Sequence, residues 1–276
     1  MKHLLSIQDL SCVGRCSLTV ALPTISAMGV RCSVLPTAVL STHTAFPNPD
    51  VVSLTERIGT FADHWQENNI CFDAISVGYL SDPEQGEAVS RLLDQFDAPV
   101  ILDPVMGDHG KLYSRITAAH LAAVKKLCAK ADVLLPNVTE AAFLTGLPYR
   151  EAMDEAYLKE LAEKLLELGA KSVIITGTHY HAGQIGFFGA DRNGTFSYEA
   201  GLVDRKFHGT GDLFAAVLAG ALAQEKTLYD CAKLAAEFVR RCVLSTKEST
   251  PHGVEFEKEL GWLFSSLSST ETIYGR

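Results

Sequence analysis

The chain has no excess of basic residues: 24 Lys and Arg stand against 33 Asp and Glu, a formal net charge of −9 at pH 7. A binder of duplex DNA or RNA needs a basic face to displace counterions from phosphates, so the balance argues against nucleic acid as a partner. It does not exclude a nucleotide, because backbone N–H groups or a metal can hold phosphate locally on an acidic protein. The longest unbroken apolar run, 213–223, falls far short of the roughly 20 residues that cross a bilayer. The opening MKHLLSIQDL enters a strand-like segment without the longer apolar stretch and small-residue cleavage site of a signal peptide. The seven cysteines, Cys12, Cys16, Cys32, Cys71, Cys128, Cys231 and Cys242, contain no C-x-x-C pair. That scatter fits buried free thiols in a reducing compartment better than disulfides or a zinc site. The expectation is a cytoplasmic protein without a membrane segment.

Linkers rich in Pro, Gly or Ser, low-complexity tracts and runs of like charge are also missing, so residues 1–276 read as one domain. With 47% hydrophobic and 21% charged residues, a chain of this length buries a sizeable core. Short apolar runs at 3–7, 31–36, 74–80, 99–103, 133–135 and 172–176 read as buried strands, and helical patterns lie between most of them. The clearest helix sets Leu158, Leu161, Leu165 and Leu168 on one face and Glu160 with Lys164 on the other, and stops at Gly169. This alternation predicts an α/β fold, a doubly wound and mostly parallel sheet with helices on both faces. Segments 184–188 and 195–198, joined by the turn-forming 191–194, predict an antiparallel hairpin added at the sheet edge. Helices are expected to dominate from Leu213 to the end. Ligands of such sheets bind beyond the carboxyl ends of the strands.

Three constellations there carry chemistry. The first is His208-Gly209-Thr210-Gly211-Asp212, directly before the apolar helical stretch. Two glycines permit a tight turn whose N–H groups, with the helix start, suit a polyphosphate, and Asp212 is then placed to accept the proton of an attacking hydroxyl. The plainer reading is a turn with Asp212 capping the helix. A dinucleotide fingerprint does not fit, since Phe214 occupies the third glycine position. The second is Asp103-Pro-Val-Met-Gly-Asp108, two hard oxygen ligands at a strand's end, suited to Mg²⁺ or serving as a polar turn. The third is Asn137-Val-Thr-Glu140, which reads either as a capping box or as Asn137 near nucleotide phosphates and Glu140 reaching a metal-bound water. His179 and His181 have no third ligand in view and read as turn residues. Cys12 and Cys16, flanking Gly14 and Arg15, read as packing. The absence of G-x-S-x-G removes support for serine hydrolase chemistry.

The joint order of these motifs from Asp103 to Asp212 resembles the pyridoxal kinase branch of the ribokinase-like fold. So do the SIQDL segment, Ser41-Thr-His-Thr44 and Val77-Gly-Tyr-Leu80. The resemblance covers nearly the whole chain. It implies transfer of the ATP γ-phosphoryl group to the 5′-hydroxymethyl of pyridoxal, pyridoxine or pyridoxamine, with Mg²⁺, with a monovalent cation left open, and with a homodimer as the assembly. By resemblance, Asp212 matches the catalytic base, and Gly209, Thr210 and Gly211 the anion hole. Asp103, Asp108 and Glu140 match the acidic residues around the metal, and Asn137 and Thr176 match nucleotide contacts. Val203, Asp204 and Arg205 lie where the family places residues beside the adenine. Thr44 and Tyr79 match the vitamin pocket, and residues 109–115, with Lys111 and Tyr113, a mobile flap.

Two departures stand out: Asp9 replaces a serine common in the family and is expected either to contact the vitamer or to lie in solvent, and Ala45 replaces a glutamine of some relatives. The helix N-terminus is expected to lower the pKa of Asp212. The nearest rival is hydroxymethylpyrimidine kinase, which shares fold and reaction but typically carries cysteine at the position of Asp212. A non-catalytic nucleotide-binding protein on the same scaffold would be marked by loss of these carboxylates, and all of them are present.

Overall fold

The computed structural model of the chain describes residues 1–247 and 251–268. In chain order, β1 (His3–Ser11), α1 (Leu18–Ala27), β2 (Arg31–Leu40), β3 (Val51–Ser53), α2 (Ile58–Glu67), β4 (Ala74–Val77), α3 (Pro83–Leu93) and β5 (Val100–Leu102) form the first part. A small hairpin, β6 (Gly107–Asp108) and β7 (Lys111–Leu112), precedes α4 (Ala118–Leu127), β8 (Val133–Leu134), α5 (Val138–Thr145), α6 (Glu155–Glu167) and β9 (Ser172–Thr178). Then follow β10 (Gln184–Asp191), β11 (Gly194–Gly201), α7 (Thr210–Ala223), α8 (Leu228–Ser245) and α9 (Leu260–Ser268).

Nine strands make one sheet in the order β11-β10-β9-β8-β5-β4-β1-β2-β3. Its centre, β9-β8-β5-β4-β1-β2, is parallel throughout, with antiparallel strands at both edges. The alternation of side chains along each strand divides the core. Leu5, Ile7, Ile75, Val77, Leu102, Val173 and Ile175 pack with α2 to α6 on one face, and Leu4, Ala74, Ile101 and Ile174 with α1, α7, α8 and α9 on the other. Consecutive residues facing two apolar layers explain why these strands read as continuous apolar runs.

The edge hairpin forms as expected: Asp191 pairs with Gly194, and the Asn193 N–H donates to Asp191 Oδ1 at 2.7 Å. On α6 the ion pair joins Glu155 to Lys159 (2.7 Å) in place of the expected Glu160 and Lys164. All seven cysteines are free, but Cys12 and Cys71 are exposed, so uniform burial was a wrong expectation. Helices α7 to α9 dominate from Thr210 onward, as expected from Leu213, and the expected continuation over residues 269–276 lies outside the described residues. Among the described residues no helix is long and apolar enough to cross a membrane.

Candidate active site

The parallel strands end together at one edge of the sheet. Asp9 lies within β1, Tyr79 follows β4, Asp103 follows β5, Asn137 follows β8, and Thr176 lies within β9. Ladder bonds continue past the strand ends and fix this rim: Asp103 N–H donates to Val77 O (2.8 Å), and Thr176 N–H to Pro136 O (2.9 Å). Asn137 and Thr176 thereby become direct neighbours across a parallel bridge.

Helix α7 aims its N-terminus at the rim and is apolar and buried over most of its circumference, so its position is set by packing. Gly209 caps it in the left-handed region (φ 84°), and a Cβ there would lie 2.1 Å from the carbonyl oxygen of Arg15. Only glycine fits. A Cβ on Gly211 would meet nothing within 4 Å. The N–H of Leu213 is bonded to Gly209 O at 3.0 Å, while the N–H groups of Thr210, Gly211 and Asp212 stand at the helix start without intrahelical acceptors. Asp212 is partly buried. Burial pushes its carboxyl up to about 6, the negative charge of Asp9 adds to the rise, and the backbone N–H of Ser17 opposes it. The expected lowering is therefore corrected: the carboxyl is raised, with burial as the largest cause.

Across the rim, Glu140 is buried, 3% exposed. Its Oε1 accepts from the N–H groups of Met106 (2.9 Å) and Gly107 (3.4 Å), and its Oε2 accepts from the N–H of Asn137 (2.8 Å). The Asn137 side chain accepts from Glu140 N–H (3.0 Å) and donates to Gly107 O (2.8 Å). The capping-box alternative is thus realised in full. Burial, which outweighs those bonds, raises Glu140 to about 7. Asp103 is raised well above its ordinary value by burial first and then by the charges of Glu140 and Asp212. Asp108 sits apart on the small hairpin, its side chain 55% exposed, 3.5 Å from His109 Nε2. Tyr113, just past that hairpin, is within electrostatic reach of Glu140, Asp108, Asp103 and Asp212.

The hairpin comprising β6 and β7 turns through His109 (φ 50°) and Gly110 (φ 74°) and is tied down at several points. Gly110 N–H donates to Thr139 Oγ1 (2.9 Å), Tyr113 N–H to Met106 O (2.9 Å), and Lys206 Nζ lies 3.3 Å from His109 Nε2. The segment Val203, Asp204 and Arg205 follows β11, and Arg205 is held through its guanidinium to Thr246 O at 2.7 Å. Tyr79 is half-buried, with Arg115 and Asp9 among its electrostatic neighbours, and Thr44 is exposed on the loop after β2. Asp9 is only 3% exposed, so the solvent alternative is set aside; its oxygens accept from Ser11 Oγ (2.9 Å) and Ser17 Oγ.

Ser17 and His43 were not singled out from the sequence. The His43 Nε2–H donates to Pro251 O at 2.6 Å while Nδ1 accepts from Ala45 N–H at 3.2 Å, the pattern of a neutral ring, and burial lowers its pKa. Its ring lies where a Cβ on Gly14 would come within 2.0 Å, and it packs 5.4 Å from His208. It thus joins four loops. The signal was present in Ser41-Thr-His-Thr44, but its partners are remote in sequence.

No group of three or more His, Cys, Asp or Glu side chains close enough to hold a metal by themselves occurs among the described residues. The raised Asp103 and Glu140 instead suit Mg²⁺, which takes one or two protein carboxylates and completes its shell with water and phosphate oxygens.

The family model for phosphomethylpyrimidine kinase matches residues 20–255. A pyridoxine/pyridoxal/pyridoxamine kinase of Bordetella bronchiseptica is 30% identical over 257 residues, 88% of this chain and 89% of that one. A hydroxymethylpyrimidine/phosphomethylpyrimidine kinase of Bacillus subtilis is 33% identical over 181 residues, 63% of this chain and 64% of that relative. The crystal structure of pyridoxal kinase from Lactobacillus plantarum matches with a TM-score of 0.89 at 32% identity, covering 100% of both chains. With its matched residues, its sheet order and these relatives together, the chain belongs to the phosphomethylpyrimidine kinase family, whose ribokinase-like fold it shares with the pyridoxal kinases.

Proposed function

We propose that the protein transfers the γ-phosphoryl group of ATP to the 5′-hydroxymethyl group of a B6 vitamer, pyridoxal, pyridoxine or pyridoxamine. The observation that carries this reading is Asp212, a carboxylate in the first turn of α7 behind the Gly209 to Gly211 turn, where hydroxymethylpyrimidine kinases typically bear cysteine. With its carboxyl raised to about 6, Asp212 is ionised at neutral pH and a stronger base than an ordinary aspartate. It accepts the proton of the attacking alcohol, while the free N–H groups of the turn receive charge on the phosphoryl oxygens. Asp103 and Glu140 would hold Mg²⁺, with Asp108 adding negative charge from the small hairpin. Bound there, the ion would supply neutralisation of phosphate charge. Asn137 and Thr176 face the nucleotide phosphates, Val203, Asp204 and Arg205 line the adenine side, and Tyr79 and Thr44 line the acceptor side. The hairpin before α4, with Lys111 and Tyr113, covers the reactants. The proposal takes the chain as one domain acting on free small molecules in the cytoplasm as a homodimer.

The second reading, phosphorylation of hydroxymethylpyrimidine, is favoured by the family model and the Bacillus subtilis relative. One experiment separates them: ATP turnover with Mg²⁺ against the three vitamers and hydroxymethylpyrimidine in parallel, with Asp212→Ala as control. At least one vitamer is expected to outpace the pyrimidine, and the variant to lose on the order of a hundredfold or more. A faster pyrimidine would replace the substrate and keep the mechanism, whereas no turnover of any acceptor would end the kinase reading.

A further inference from the structure

Ser17 has three properties that no helix-capping role explains. It stands at the N-cap of α1 with φ 49° and ψ −129°, a conformation that glycine adopts readily and serine does not. Its hydroxyl makes no cap bond to α1, although serine is among the preferred capping residues. That hydroxyl is instead donated to Asp9 Oδ1, inside a pocket where Ser17 is 5%, Ser11 1% and Asp9 3% exposed. The second oxygen of Asp9 is taken by Ser11 Oγ at 2.9 Å, which leaves the carboxylate turned toward its own loop.

The consequence appears at α7, because the same turn places Arg15 O against Gly209, the N-cap of the helix that carries Asp212, so closely that a Cβ there would lie 2.1 Å away. Rotating Ser17 to an ordinary backbone conformation would displace that turn from Gly209. The turn has little other freedom: Ser17 O accepts from Val20 N–H (3.0 Å) and Ala21 N–H (2.9 Å), Arg15 N–H donates to His252 O (2.7 Å), and Arg15 O abuts Gly209. Chain and hydroxyl together hold the turn against the start of α7.

We propose that Ser17 is a positioning residue for the phosphoryl transfer: its hydroxyl, held by the buried Asp9, fixes the turn that abuts Gly209 and so places the start of α7 and the carboxylate of Asp212. This rests on the reading of Asp212 as the base. It gives Asp9 a role distinct from vitamer contact, for Asp9 acts on the reaction through Ser17. Misplacement of a reacting group by about 1 Å costs up to about a hundredfold in rate, so removal of the clamp is read mainly in kcat.

The test compares Ser17→Gly, Ser17→Ala and Asp9→Asn with wild type for kcat, KM of ATP, KM of the accepted alcohol and melting temperature. Ser17→Gly relieves the positive φ while deleting the hydroxymethyl group, so it is expected to melt at or above wild type. Its kcat is expected to fall on the order of tenfold or more, with both KM values within about twofold. Ser17→Ala is expected to lose kcat similarly, and Asp9→Asn combined with Ser17→Gly to fall no further than the worse single variant, because the two residues act in one chain of contacts. Full kcat in both Ser17 variants would overturn the proposal. So would a raised KM of the alcohol at unchanged kcat, since that result would assign the pair to the acceptor pocket. A wild type that turns over no acceptor would defeat the functional reading alone. In that event, crystal structures of wild type and Ser17→Ala decide the positioning claim, which requires Asp212 to shift and fails if its carboxylate stays in place.

Discussion

Burial raises the carboxyl of Asp212 from 3.8 to about 6, so ionising it costs the fold stability. The sign follows from linkage: the protonated form favours the native state, that advantage is complete below 3.8, and it is lost as pH rises to about 6. At pH 8 the charge costs about 2 to 3 kcal/mol at most, less what its partial exposure to water returns. Asp212→Asn is therefore expected to melt several degrees above wild type at pH 8 and to show no such gain at pH 4, while turnover is lost. Thermal melts at the two pH values decide it, and an equal gain at both would mean that charge is not the cause. The glycines of the same turn separate fold from function. Gly209→Ala forces a Cβ to within 2.1 Å of a backbone carbonyl at φ 84° and should cost about 1–3 kcal/mol or more. Gly211→Ala meets nothing within 4 Å. It should melt like wild type yet bind ATP more weakly or transfer more slowly, because its methyl projects where the turn is open. Wild-type kinetics in Gly211→Ala would remove the phosphate from that turn.

At the scale of elements, legibility followed the range of the interactions. The central strands were readable because both of their faces are apolar, and α6 was readable because its apolar positions recur at helical spacing. The hairpin β6 and β7 was not readable as strands, having only two residues in each. What holds it is remote: Gly110 leans on Thr139, Gly107 on Asn137, and Met106 on Glu140. The segment known from sequence only as a flap is therefore bonded to the cap of α5. Thr139→Ala removes one of those bonds at a buried site, worth about 1 kcal/mol. The expected outcome is faster amide hydrogen exchange at Gly110 and its neighbours with little change in global melting. If exchange there were already as fast in wild type as in an exposed loop, the anchored description would fail. The same limit of range hid His43, whose acceptor Pro251 lies in a loop remote in sequence, and a lone serine gave no sign of the bond from Ser17 to Asp9, whereas Asp103, Asn137, Glu140 and Asp212 were singled out because they sit in compact motifs.

For the whole molecule, charge is distributed against the fold at one edge of the sheet. A chain of net charge −9 gathers Asp9, Asp103, Glu140 and Asp212 at the strand ends, and burial raises all four. Each such group favours the native state as pH falls through its folded value. Carboxylates held low by partners, among them Asp82 through Ser53, Thr55 and Ser81, work in the opposite sense, and their stabilisation is lost at more acid pH. The unliganded protein should accordingly be most stable at mildly acid pH, about 5, and less stable at pH 8, where the buried acids are ionised without a counter-charge. A cation that enters among them restores the balance where they are charged and gains little where they are protonated. Mg²⁺ with ADP is thus expected to raise the melting temperature more at pH 8 than at pH 5.5, and Asp103→Asn to reduce the Mg²⁺-dependent part of that rise. Differential scanning calorimetry with and without Mg²⁺ at both pH values measures it. A rise independent of pH and unchanged by Asp103→Asn would mean that the nucleotide alone, and not the carboxylates at the sheet edge, holds the metal.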